Sequence, residues 1–126
     1  MFKDIRAYSG ISISDLGAAQ HFYGDQLGLD VEAEGPGLVL HLHGGTNVLL
    51  YVKDNHEPAT FPVLNFTVKN IDEAVDPLVA KGISTIAYPE MGTDGKNIFR
   101  GVAQNMGPDV AWFTDPSGNI LSVLTN

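Results

Sequence analysis

The chain has 126 residues, 44% hydrophobic and 17% charged, with a net charge of -8 and no cysteine. This length and composition predict one globular domain over residues 1–126, and short apolar runs with no signal-peptide pattern predict a cytoplasmic protein that neither spans nor binds a membrane. The lack of cysteine excludes disulfides and thiolate metal ligands, and scattered Lys and Arg residues under a negative net charge argue against nucleic-acid binding.

In chain order, the first half shows a strand over 5–14, a helix over 16–27 and strands over 29–34, 37–43 and 47–53. Asp15 suits the helix N-cap, and Gly28 lies where a left-handed C-terminal cap is expected. Gly44-Gly45-Thr46 is a turn sequence that predicts a hairpin between the last two strands.

The second half repeats this order, with strands over 61–69, 83–88, 109–115 and 119–125 and a helix over 71–81. The helix and its N-cap match those of the first half at an offset of about 55 residues. The hairpins match at an offset of about 72 residues, which aligns Asn47 with Asn119. The difference leaves roughly 18 extra residues in the second half, within a loop over 89–108. A loop of that length predicts a functional or mobile segment, such as a lid.

Several short motifs carry a resemblance to a known family: Ser14-Asp15-Leu16, Phe22-Tyr23, Leu27-Gly28-Leu29 and Asp115-Pro116-Ser117-Gly118-Asn119. Their order and repetition resemble the vicinal oxygen chelate superfamily of glyoxalases, bleomycin-resistance proteins and extradiol dioxygenases. The resemblance covers nearly the whole chain. It implies an α+β fold of tandem βαβββ repeats, with halves near 1–55 and 60–126, a curved mixed sheet around a cavity, helices on its outer face, and a homodimer.

Strand alternation predicts which side of the sheet is covered by helices and which side lines the cavity. The predicted helix-covered face carries the larger apolar residues Ile11, Ile13, Leu40, Leu42, Leu49, Tyr51, Leu64, Phe66, Val68, Trp112, Leu121 and Val123. The predicted cavity face mixes apolar and polar residues, which is typical of a small-molecule pocket, although a mixed face is also typical of a solvated one. The predicted ligand-binding residues are Tyr8, His41, Leu50, Val63, Asn65, Phe99, Arg100, Phe113 and Ser122.

Metal-dependent relatives in the resembled family place ligands at positions that correspond to Tyr8, Leu50, Val63 and Ser122. Leu and Val have no donor atom, and neighbouring residues do not restore a ligand set, so we expect no bound metal and no cofactor. His41 and His43 point to one side of a strand but lack a carboxylate partner on the predicted cavity face. His41 is therefore interpreted as a hydrogen-bonding or proton-transfer group.

The resemblance leaves three functions open, because this fold serves both enzymes and binding proteins. The preferred hypothesis is metal-independent binding of a small, partly apolar molecule, as in family members that sequester antibiotics. The alternative is a glyoxalase-like lyase or isomerase, or a dioxygenase-type enzyme, that uses His41 as a base or an atypical metal site. The third hypothesis is a protein whose cavity is vestigial and which acts through contacts with other proteins.

Overall fold

The computed structural model describes all residues, 1–126. The chain is an α+β protein that divides into two compact units, Met1–Glu57 and Pro58–Asn126. Each unit contains one four-stranded mixed sheet and one main helical segment. The order strand, helix, then three strands occurs twice, which confirms the predicted tandem βαβββ fold.

The first unit forms a sheet with strand order β1-β4-β3-β2, in which β1 and β4 are parallel and the other pairs are antiparallel. A short α-helix continues directly into a π-helical turn, so the predicted helix over 16–27 is one irregular segment. The elements are β1 (Ser9–Ile13), α1 (Leu16–Gln20), the π-turn (His21–Gln26), β2 (Asp30–Glu34), β3 (Gly37–His41) and β4 (Asn47–Val52).

The second unit repeats this arrangement with strand order β5-β8-β7-β6, and β5 and β8 are its parallel pair. Its helix packs on β7 and β8. The elements are β5 (Pro62–Val68), α2 (Ile71–Ala80), a 3-10 turn (Pro89–Met91), β6 (Ile98–Arg100), β7 (Asp109–Thr114) and β8 (Ile120–Thr125).

Both helices start and stop at the predicted caps. Asp15 Oδ1 accepts a hydrogen bond from Ala18 N at 2.8 Å, and Asn70 Oδ1 accepts one from Glu73 N at 3.1 Å. Gly28 and Gly82 follow the helices with φ of 74° and 83°, a left-handed conformation that glycine adopts without steric cost.

Two sequence predictions in the second unit are wrong. Residues 83–88 make only an isolated bridge, between Thr85 and Phe113, and the edge strand is instead β6, which pairs Phe99 with Val110. The predicted loop over 89–108 therefore contains a 3-10 turn and a strand. Periodicity could not reveal a strand of three residues, since alternation needs at least four to be visible.

The hairpins match at an offset of 73 residues, one more than predicted. Leu42 N donates to Thr46 O and Asp115 N donates to Asn119 O, both at 2.9 Å, so each turn is closed in the same way. Gly45 and Gly118, also 73 apart, both have φ of 84°. A shift of one residue moves every side chain of a strand to the opposite face.

No helix in the structure is long and apolar enough to cross a bilayer.

Candidate functional site

Each sheet has one buried face and one open face. In the first unit the buried face packs with Ala19, Phe22 and Tyr23 of the helical segment, which are almost fully buried. The sheet contributes Ile11, Ile13, Leu38, Leu40, Val48 and Leu50 to this core. The pairs Val39–Leu49 and His41–Asn47 lie on the opposite, open face.

The open face of the first unit borders a cavity of about 630 Å³, within the range of small-molecule pockets. Tyr8 lies at its side and is 70% exposed, whereas Val39 is nearly buried. The cavity is lined by Arg6, Ala7, Tyr8, Glu34, Val39, His41, Gly45, Thr46, Asn47 and Leu49. Its apolar side chains are Ala7, Val39 and Leu49, and the other side chains are polar or charged, so the cavity offers a ligand both apolar contact and hydrogen-bonding groups.

Among the side chains that line this cavity, His41 has hydrogen-bond partners at both ring nitrogens and a shifted pKa. Its Nε2 lies 2.9 Å from Glu32 Oε2, and its Nδ1 lies 3.2 Å from Asn47 Oδ1. Both neighbours are acceptor oxygens, so both ring nitrogens donate when the ring is protonated. The hydrogen bond to Glu32, followed by that to Asn47, raises the pKa of His41 above its ordinary value.

The open face of the second unit carries a row of three side chains on adjacent strands. Asn65 pairs with Ser122 across β5 and β8, and Ser122 pairs with Trp112 across β8 and β7. The buried Ser122 Oγ donates a hydrogen bond to Oδ1 of the exposed Asn65. Tyr88 packs edge-on against Trp112, with ring centroids 4.9 Å apart.

Two predicted ligand-binding residues face the core instead. Leu50 is 0% exposed and pairs with Leu38, and Phe113 is 1% exposed and pairs with Leu121. The physical reason is the one-residue error in the hairpin offset, because it exchanged the two faces of β4 and of β7. Leu49 and Trp112, predicted on the helix-covered face, lie on the open faces.

The remaining predicted residues divide between the two units. Tyr8 and His41 border the cavity of the first unit. Asn65, Ser122 and Phe99 share the open face of the second, since Phe99 pairs with Val110 two residues from Trp112. Val63 lies at a register irregularity in β5, between Pro62 and Leu64.

Arg100 is held by carboxylates of its own unit. Its Nη1 and Nη2 donate to the two oxygens of Asp72 at 2.8 and 2.9 Å, and its Nε donates to Asp94 Oδ2 at 2.9 Å. Lys96 Nζ also bonds Asp72, at 2.6 Å, and the two cations, Arg100 first, hold the pKa of Asp72 well below its usual range. Arg100 thus joins β6 to α2 rather than offering a free charge.

The residues at the family's metal positions do not fit a metal ion. With the corrected offset, the resemblance to metal-dependent relatives puts these positions at Tyr8, Leu49, Val63 and Ser122, and Leu and Val have no donor atom. Elsewhere, no three His, Cys, Asp or Glu side chains are grouped so that they could hold an ion. The family's metal chemistry therefore has no counterpart in these side chains.

Sequence reasoning missed Glu32 and Asn47 as partners of His41, and Tyr88 as a partner of Trp112. One signal was available for the first two: β2 and β3 form a hairpin around Gly35 and Pro36, and the resulting register brings β2 carboxylates beside His41. Tyr88 was predicted at the end of a strand over 83–88 but lies outside any strand, so strand alternation does not describe its direction.

A family model described as the Glyoxalase/Bleomycin resistance protein/Dioxygenase superfamily matches residues 7–123. No curated protein sequence matches the chain.

Solved structures resemble the whole chain at low sequence identity. A glyoxalase family protein from Enterococcus faecalis is 24% identical with a TM-score of 0.66, over 98% of this chain and 99% of its own. TnmS3, an antibiotic binding protein from Streptomyces sp. CB03234, is 20% identical with a TM-score of 0.67, over 97% of both chains. The oxidase ChaP-H2 is 22% identical with a TM-score of 0.62, over 97% of this chain and 94% of its own. At these identities the likeness shows the fold alone.

Proposed function

Because the chain belongs to the glyoxalase/bleomycin resistance protein/dioxygenase superfamily, we propose that it binds a small, partly apolar molecule without a metal ion. The observation that carries this proposal is the composition of the open faces. Leu49 and Val63 correspond to positions where metal-dependent relatives carry ligands, and both open faces combine apolar or aromatic side chains with hydrogen-bonding groups. Such a surface suits recognition by shape and a few hydrogen bonds.

The antibiotic-binding relative supports this function by analogy only, since a fold does not determine a function. The ligand proposed here is a metabolite or an antibiotic-like molecule that the protein sequesters. We further propose that the protein acts in the cytoplasm as a homodimer.

An enzyme of the lyase, isomerase or dioxygenase type is the second candidate, and His41 is the observation that favours it. Its contacts with Glu32 and Asn47 raise the pKa of the ring and hold it in place, as suits a group that transfers a proton or stabilises charge. Turnover of a bound compound that is abolished by His41→Leu would support this candidate.

Binding is tested by a thermal-shift screen of small molecules, followed by affinity measurements on variants. His41→Leu and Asn65→Leu should each weaken binding of a ligand that contacts their face at least tenfold while leaving the fold intact. His43→Leu is the matched control, because His43 is exposed and does not line the cavity. Unchanged affinity in both test variants would contradict binding on the open faces.

A further inference from the structure

The open face of the second unit is uncharged along its central strands. Besides Asn65, Trp112 and Ser122, the alternation of β5, β7 and β8 places Thr67, Val110, Thr114, Ile120 and Leu124 there. Arg100 alternates with Phe99 and bonds α2 on the other side of the sheet, and Lys96 is paired with Asp72 and Asp76. An anionic ligand would find no counter-charge among these strand residues, whereas a neutral molecule would lose little on leaving water.

Asn65 is oriented by its neighbour. Ser122 is 1% exposed, and its hydroxyl donates to Oδ1 of Asn65, which fixes that side of the amide toward the sheet. The Nδ2 group then retains two N–H donors, and the residue is exposed. A molecule that covers this amide must supply an acceptor, because a covered donor without a partner disfavours binding.

Trp112 provides an aromatic surface beside that donor. It lies one strand beyond Ser122 in the same row, and the Tyr88 ring packs against it at an interplanar angle of 80°. The backbone also holds this strand in place, since Ile86 N donates to Trp112 O at 2.8 Å. A flat apolar ring can therefore lie on a surface whose indole is already fixed.

From this row we infer that the second unit binds neutral aromatic carbonyl compounds, with Asn65 Nδ2 donating to the carbonyl oxygen and Trp112 flanking the ring. This inference rests on the proposed function and names the ligand class for one of its two faces. Ser122 is the positioning residue that turns Asn65 into a donor.

Two probes of nearly equal shape test the inference: acetophenone, which carries the acceptor, and ethylbenzene, which lacks it. The chain has one tryptophan, so a single indole N–H signal in the ¹H–¹⁵N NMR spectrum reports on this face. Acetophenone should shift both the Trp112 indole and the Asn65 side-chain amide signals and bind at least fivefold more tightly than ethylbenzene. Ethylbenzene should shift the indole signal alone.

Variants separate the donor from the rest of the surface. Asn65→Asp keeps an acceptor for Ser122 but removes the donor, so acetophenone should lose at least fivefold in affinity while ethylbenzene is unchanged. Ser122→Ala should reduce acetophenone binding less, because it frees the amide without removing it. Asn55→Asp, at an exposed position outside both faces, is the control for the added charge.

The outcomes distinguish this inference from the function it rests on. Equal binding of both probes, or acetophenone binding that survives Asn65→Asp, overturns the acceptor inference but leaves small-molecule binding intact. Probe-induced shifts at Tyr8 and His41 with none at Trp112 overturn it as well, and locate binding in the first unit. If neither probe, nor any compound of the thermal-shift screen, perturbs either face, the proposed function fails together with the inference.

Discussion

Among single side chains, His41 has the clearest physical role. Glu32 and Asn47 offer oxygens to its two ring nitrogens, so the environment favours the charged ring by hydrogen bonding rather than by burial. The sequence placed His41 correctly on the open side of β3 but gave no sign of its raised pKa, because Glu32 is nine residues away and becomes a neighbour only through the strand register.

Replacing Glu32 with Gln should lower the pKa of His41, since Glu32 is the largest cause of its elevation. The titration of the His41 ring protons by NMR measures this directly. Because the pKa of His41 is raised in the folded state, its contact with Glu32 stabilises the fold fully at pH values below the ordinary histidine pKa. This stabilisation is lost as the pH rises through the pKa of His41 in the folded protein. Glu34→Gln, on the same strand but without a contact to His41, is the control. An unchanged His41 pKa in Glu32→Gln would contradict the assigned contact.

At the level of strands and helices, predictability followed the strength of the local signal. Both helices were predicted because each has a polar N-cap and a glycine stop. The faces of β1 and β5 were predicted correctly because apolar and polar residues alternate along them, and those of β3 and β8 were also correct, although their apolar residues are adjacent. β4 reads Asn-Val-Leu-Leu-Tyr-Val, and its apolar residues allow either face. Matching Asn47 to Asn119 then selected the wrong one, and Leu50 and Phe113 were assigned to the site as a result.

The corrected faces of β4 make a matched prediction for two adjacent leucines. Leu50→Ala should lower the free energy of unfolding by about 2 to 5 kcal/mol, because it leaves a cavity in the core. Leu49→Ala should cost clearly less stability, since Leu49 is partly exposed, and should instead weaken a ligand bound in the cavity of the first unit. Chemical denaturation of both variants measures the difference. A larger loss of stability in Leu49→Ala than in Leu50→Ala would contradict this assignment of the two faces of β4.

On the scale of the whole molecule, the exposed apolar side chains are relevant to assembly. Tyr51, Val52 and Phe61 are 40%, 42% and 62% exposed. Large exposed apolar residues are compatible with burial against a second chain, and closed two-fold dimers are the commonest oligomers. The fold family was evident from repeated motifs, whereas the homodimer was expected from the resemblance alone, because contacts between chains leave no periodic pattern in one sequence.

We predict a homodimer, so light scattering coupled to size exclusion should give a mass of twice the 13.5 kDa chain. On dilution, the dimer should dissociate only when the protein concentration falls below the dissociation constant of the dimer. A mass of one chain at every accessible concentration would contradict this prediction.

The most direct test of metal-independent binding is the ligand-induced rise in unfolding temperature of protein dialysed against EDTA, compared with the same protein after Zn²⁺, Ni²⁺ or Mn²⁺ is restored. A ligand at 100 times its dissociation constant should stabilise the chelated protein by about 2.7 kcal/mol, and added metal should leave this stabilisation unchanged. Stabilisation that appears only when a metal ion is present would contradict the account.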